Sequence, residues 1–147
     1  MTGNWEKISS MNHKRSEFSL TSLNGYLYAM GGFYRNVVEK YDPKRDEWQI
    51  ILETNHREYS LTGTEHKGKI YTLYGFETGF KVYSPLDNTW NRLPSLPEKL
   101  FGKALVSIND KLWAIGTYRK NGGKNEFSCR IFEFDTNTEK WTLLPNI

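Results

Sequence analysis

The chain has 147 residues, 37% of them hydrophobic and 25% charged, with a mean hydropathy of −0.68. That length suits one domain of ordinary size, and no run of about 18 apolar residues marks a membrane-spanning helix. The net charge of +3 is too small to suggest a nucleic-acid surface, which carries a clustered basic stripe.

The opening MTGNWEKISS lacks the apolar core of a signal peptide. A lone Cys129 forbids an intrachain disulfide, and no Asn-x-Ser/Thr acceptor occurs, so a reducing, cytoplasmic compartment is expected. Taken in chain order, Met1 to Met11 holds Trp5 and Ile8, the pattern of a single strand without partners. Predicted strands then run Arg15–Leu23, Gly25–Gly32, Asn36–Tyr41 and Glu47–Leu52. Asn24-Gly25 is a type I′ hairpin signal, Gly31-Gly32 marks a tight bend, and Asp42-Pro43 starts a turn. A second set follows at Glu58–Glu65, Lys69–Tyr74, Gly79–Ser84 and Thr89–Leu93, closed by the rigid LPSLP link. A third set covers Phe101–Ile108, Lys111–Gly116, Ser128–Asp135 and Lys140–Leu144. No stretch has a helical period.

The sets are copies of one another. A turn residue precedes an aromatic by three positions each time, in Gly25/Tyr28, Gly68/Tyr71 and Asp110/Trp113. An aromatic and a tryptophan are seven apart in Tyr41/Trp48, Tyr83/Trp90 and Phe134/Trp141. Spacings between the periodic tryptophans, counting Trp5, are 43, 42 and 51 residues. The polar KNGGKNEF insertion accounts for the longest. Such a period of 20 to 50 residues is read as a repeat architecture.

With its Gly31-Gly32 pair, Tyr41-Asp42-Pro43 and spaced tryptophans, the pattern resembles the Kelch repeat over essentially the whole chain. The WEKISSMNHKRS and VEKYDPKRDEW runs are most similar to the Kelch-like adaptors that carry BTB and BACK domains. Copies two and three depart from it, each keeping one glycine (Gly75, Gly116), with Ser84-Pro85 in place of Asp-Pro and Phe134 in place of Tyr. The resemblance implies an all-β partial propeller of three four-stranded antiparallel blades plus one surplus N-terminal strand. Residues 1–12 would be the outer strand of a preceding blade, with blades at 13–54, 55–97 and 98–147. Self-association or further blades are expected to cover the two blade faces left without covalent neighbours, a three-plus-three ring among the possible forms.

Catalysis finds little support in the residues. His13, His56 and His66 show no metal-ligand spacing, so no metal and no cofactor is expected, and no enzyme. The resemblance reaches Kelch copper oxidases and a sialic acid mutarotase, but no tyrosine–cysteine–histidine set maps onto them. The repeated aromatics and tryptophans read as core, and Cys129 as an ordinary strand cysteine.

What remains are loop residues that break the period. Kelch propellers bind through the end of the ring that gathers the loops between second and third strands and those leading into each first strand. The former hold Phe33, Tyr34, Arg35 and Asn36, then Phe76, Glu77 and Thr78, then Tyr118, Arg119, Lys120 and Asn121. The latter hold Arg15 and Ser16, then Arg57, Glu58 and Tyr59, then Lys99, Leu100 and Phe101. Of these, Arg15, Ser16, Phe33, Tyr34, Arg35, Asn36, Arg57, Tyr59, Phe76, Tyr118 and Arg119 are the expected partner-binding residues. Arginine and tyrosine are the types that build hot spots and grip acidic peptides. By resemblance the function is protein recognition, as the substrate-binding part of a cullin ubiquitin-ligase adaptor, with an actin-associated module as the alternative. The expected partner is a protein or acidic peptide, with no nucleic acid and no membrane.

Overall fold

The computed structural model describes residues 3–33, 36–53, 61–75, 78–119 and 127–145. Among the described residues, twelve strands form three antiparallel sheets of four, each strand paired with its neighbour in sequence. The first sheet joins β1 (Ser19–Leu23), β2 (Tyr26–Met30), β3 (Val37–Asp42) and β4 (Glu47–Glu53). The second joins β5 (Thr62–His66), β6 (Lys69–Tyr74), β7 (Gly79–Ser84) and β8 (Thr89–Leu93). The third joins β9 (Phe101–Ile108), β10 (Lys111–Arg119), β11 (Phe127–Asp135) and β12 (Lys140–Leu143).

Turn chemistry sets this register. Both central residues of every first hairpin have positive φ: Asn24 and Gly25, Lys67 and Gly68, Asn109 and Asp110. That is the type I′ turn, whose twist matches the flanking strands. The turns into the fourth strands share a device of their own. Asp46, Asn88 and Glu139, each two residues before a tryptophan, all have positive φ.

The sheets pack face to face rather than edge to edge. Tyr28, Met30 and Val38 of the first sheet meet Ile70 and Tyr83 of the second. Tyr71, Leu73 and Phe80 of the second meet Leu112, Phe132 and Phe134 of the third. Each core is therefore a seam between two sheets, and no sheet has a core of its own. The first strands lie side by side along the inner margin, where the Leu105 N–H donates to Thr62 Oγ1 at 3.2 Å. An ideal Cβ on Gly63 would stand 2.7 Å from Ser19 Oγ. A cavity of about 400 Å³ opens there, lined by Leu20, Ser22, Thr64 and Ser107 among others.

Three expectations are corrected. Residues 3–18 enter no ladder, so the segment read as a surplus outer strand carries no strand here; a strand needs a partner edge, and none lies against it among the described residues. Trp5, read as core, is 101% exposed for the same reason. The first inner strand starts at Ser19 rather than Arg15, because Glu17 adopts φ of 53° and breaks the extended run.

The glycines after each second strand divide. Gly32 has φ of 108°, and an ideal Cβ would sit 2.8 Å from the Ser16 carbonyl oxygen. Gly32→Val should therefore lose more than about 1 kcal/mol in urea unfolding, from strain and clash together. An unchanged midpoint would refute it. Gly116 has no positive φ, and its lack of a side chain instead makes room for Leu100, whose Cβ would be 2.9 Å away.

Candidate functional site

The β1–β2 type of hairpin and the β3–β4 type of turn point to one end of the sheets. The loops after each second strand and the links into each first strand gather at the other. Backbone hydrogen bonds stitch that second end together. The Phe33 N–H donates to the Ser16 carbonyl at 2.8 Å, and the Leu61 N–H to the Glu17 carbonyl at 3.3 Å. The Leu96 N–H donates to the Thr78 carbonyl at 2.8 Å, tying the third sheet's lead-in to the second sheet's loop. Lys103 Nζ donates to the Gly75 carbonyl across the same seam. The loops are thus braced on neighbouring sheets, a rigid support for a contact surface.

Of the expected binding residues, Ser16 and Phe33 are exposed at this end, Phe33 by 48%. Asn36 is half-buried. Tyr34, Arg35, Arg57, Tyr59 and Phe76 lie outside the described residues. Tyr118 and Arg119 are corrected from loop to strand: they pair with Ser128 and Phe127 at the end of the β10–β11 ladder. The insertion lengthens this hairpin, so the strands run on past Gly116 where the other two copies turn.

Arg15 is the clearest correction. Its side chain is wholly buried, as is that of Glu39, and its Nη2 meets Glu39 Oε1 at 2.7 Å. Its Nη1 donates to the Gly31 and Val37 carbonyls, both at 2.7 Å. Arg15 is thus a cross-brace within the first sheet and does not face solvent. The signal lay in β3. Val37, Glu39 and Tyr41 alternate onto one buried face, and a carboxylate at such a position demands a counter-charge.

Three residues absent from the expected set, Lys99, Phe101 and Thr117, join the surface. Phe101 is 40% exposed, and Lys99 Nζ stands 5.6 Å from its ring centre. Thr117, also exposed, donates its hydroxyl to the Phe101 carbonyl at 3.2 Å. Leu100 between them turns into the core. The described surface is therefore aromatic patches beside hydroxyls and an ammonium. Among the described residues no group of three or more His, Cys, Asp or Glu is placed to hold a metal ion.

Residues 14–51 match the Kelch motif. The chain is built of Kelch repeats. It is 25% identical to human Kelch-like protein 23 over 97% of its own length and 26% of the relative's. It is 26% identical to human Kelch-like protein 11, covering 93% of this chain and 21% of that one. The chain thus spans about a quarter of the length of the curated relatives it matches. Among solved structures, that of YjhT superposes with a TM-score of 0.79 at 15% identity, over 95% of this chain and 54% of the other. That likeness concerns the propeller fold, and the three sheets are three Kelch blades.

Each Kelch blade reaches to what precedes it by a repeated polar tie. Trp141 Nε1 donates to the Pro94 carbonyl at 2.8 Å, four residues beyond Trp90. Trp48 Nε1 donates to the Ser9 carbonyl at 3.0 Å, four residues beyond Trp5. Asp46 Oδ1 accepts from the Ser9 N–H at 2.9 Å and from the Tyr41 hydroxyl at 2.6 Å. Tyr83 and Asn88 repeat this toward the Ile51 carbonyl. The hydrogen bond to Asp46, with smaller contributions from burial and nearby carboxylates, holds the Tyr41 hydroxyl proton on up to about pH 12, so it remains a donor. Residues 9–13 therefore occupy, on blade 1, the place that the end of a preceding blade takes on blades 2 and 3.

Two buried groups make the fold acid-sensitive. Burial would raise the Glu39 carboxyl, but hydrogen bonds from Arg15 and Asn12 outweigh it and hold the group below its ordinary 4.5. His66, 2% exposed and 2.9 Å from Ser107 Oγ, is held below its ordinary 6.5 by burial and by Lys67. In both cases the unfolded chain binds the proton more readily, so stability falls as pH falls. The loss should begin below 6.5 through His66 and continue below 4.5 through Glu39. Melting temperature measured from pH ~8 to ~4 should decline in that order. A flat profile to pH ~5 would contradict the His66 assignment.

Proposed function

We propose that this chain is a protein-binding Kelch segment that captures its partner on the loop-bearing end, as the substrate-recognition part of a cullin ubiquitin-ligase adaptor. The observation that carries the reading is that Ser16, Phe33, Lys99, Phe101 and Thr117 lie exposed on one end, where hydrogen bonds within blades (Phe33 to Ser16, Thr117 to Phe101) and between the links and loops (Leu61 to Glu17, Leu96 to Thr78) brace the backbone. Half-exposed aromatics on a rigid base are the material of binding hot spots, and an ammonium beside them favours acidic segments. Arg15 is withdrawn from this surface. Arg35, Arg57 and Arg119 stay in the proposal on residue type and position in the sequence. The Kelch-like relatives support an interaction module rather than an enzyme, and the ligase role rests on resemblance to adaptors that carry further domains. The lone Cys129, an exposed free thiol, suits the cytoplasm.

The test selects ligands from a displayed peptide library. Acidic peptides should be enriched, and Phe33→Ala with Phe101→Ala should abolish their binding while the melting temperature stays put. Leu86→Ala, at a 99% exposed position on the opposite end, should leave binding unchanged. Loss with Leu86→Ala and retention with the phenylalanine pair would reverse the assignment.

A further inference from the structure

The three blades do not bury equivalent positions equally. Blade 1 buries Tyr28, Met30 and Val38 on its trailing face, at 4%, 1% and 2% exposure, against the leading face of blade 2. Blade 2 buries Tyr71, Leu73 and Phe80 against blade 3 in the same way. The corresponding residues of blade 3 are Trp113, Ile115 and Ile131, and all three are only half-buried. They are large and apolar like their counterparts, so this sheet face is built as the first half of a seam.

The second half also exists, on blade 1. Blades 2 and 3 offer an aromatic and a tryptophan to the seam, Tyr83 with Trp90 and Phe134 with Trp141. Blade 1 carries the same pair in Tyr41 and Trp48, with ring centres 5.1 Å apart. Among the described residues, 9–13 stand in front of it, held by Asp46, Glu39 and the Trp48 indole. Pro145 follows Trp141 by four, as Ser9 follows Trp5 and Pro94 follows Trp90. The carbonyls of Ser9 and Pro145 are therefore register equivalents with respect to a Trp48 indole.

We infer that the trailing face of blade 3 is an interface for the leading face of blade 1 of a second copy, and that residues 9–13 compete with the partner's C-terminal strand for Trp48. Contacts of this head-to-tail kind close into a ring only if the rotation fits, and otherwise give filaments. Closure at two copies is favoured because this chain of three blades covers 54% of the YjhT chain of the same fold, about half. Two copies then supply six blades, within the usual range for a closed ring. The same closure joins two half-rings of loops into one recognition end, although the inference does not depend on what that end binds.

Sedimentation velocity on the 147-residue chain over a concentration series tests this. The expected result is a reversible monomer–dimer equilibrium with nothing larger. Trp113→Glu, at the centre of the trailing face, should weaken the dimer roughly 30-fold or more, the scale of a hot-spot loss. Ile131→Arg serves as an independent probe of the same face should Trp113→Glu alter the near-ultraviolet circular dichroism. Ser9→Pro removes the N–H that Asp46 accepts and should tighten the dimer by loosening its competitor. Open-ended oligomers, a dimer indifferent to both face variants, or one weakened by Ser9→Pro would overturn the inference. So would a chain that stays monomeric at every soluble concentration, including one that binds separately produced Kelch blades instead.

Discussion

Arg15→Ala is expected to destabilise the chain by about 3–5 kcal/mol, the usual result of removing one partner from a buried ion pair. The guanidinium is wholly enclosed and satisfies Glu39 together with the Gly31 and Val37 carbonyls. Its loss leaves a carboxylate at 0% exposure without its counter-charge. Glu39 also accepts from the Asn12 and His13 N–H groups, at 2.7 and 3.1 Å, so the whole N-terminal segment should loosen with it. Replacing both partners by apolar residues, Arg15→Met with Glu39→Leu, should recover much of the stability, because no charge is then left stranded. Urea unfolding of the single and double variants distinguishes this from a surface role. A loss under about 0.5 kcal/mol, as for an ordinary surface substitution, would return Arg15 to the binding face.

Phe80→Ala should have an effect of similar size, about 3–5 kcal/mol. Phe80 is 1% exposed and sits at the centre of the seam between blades 2 and 3. Its ring is 4.8 Å from Phe134 edge-on, 4.9 Å from Trp141 and 5.9 Å from Tyr71. Because each seam is shared, the cavity would weaken the hold of blade 2 on blade 3 rather than one sheet alone. Denaturation followed by tryptophan fluorescence should therefore show the region around Trp141 melting earlier than the rest. A single unshifted transition would contradict the shared-core description.

The strands were legible because turn residues and aromatics recur in register. β6 to β9 begin and end where the alternation and the Gly, Pro and Asn signals place them. The Asn24-Gly25 turn was legible from local chemistry, and Lys67-Gly68 and Asn109-Asp110 fall into the same geometry through the repeat. Periodicity carries register, not surroundings. Trp5 has the spacing of Trp48, Trp90 and Trp141, yet it stands bare because no third strand lies beneath it. Arg15 precedes its strand as an exposed arginine would, and only a carboxylate on the buried face of β3 turns it inward. Phe101 is legible as the start of β9 but not as a surface aromatic, since Leu100 beside it is equally apolar and takes the core position. The β10–β11 extension is not legible in the sequence because Gly116 has the pattern of a strand end, whereas its ladder runs on through Arg119.

The assignment of the two ends is tested most directly by hydrogen exchange on the chain with and without a bound acidic peptide from the display selection. Protection is predicted at Ser16, Phe33 and the stretch from Lys99 to Gly102, with Thr117 included. The hairpin tips at Asn24-Gly25, Lys67-Gly68 and Asn109-Asp110 should exchange at the same rate in both samples. Protection confined to those tips, with Phe33 and Phe101 unaffected, would contradict the account.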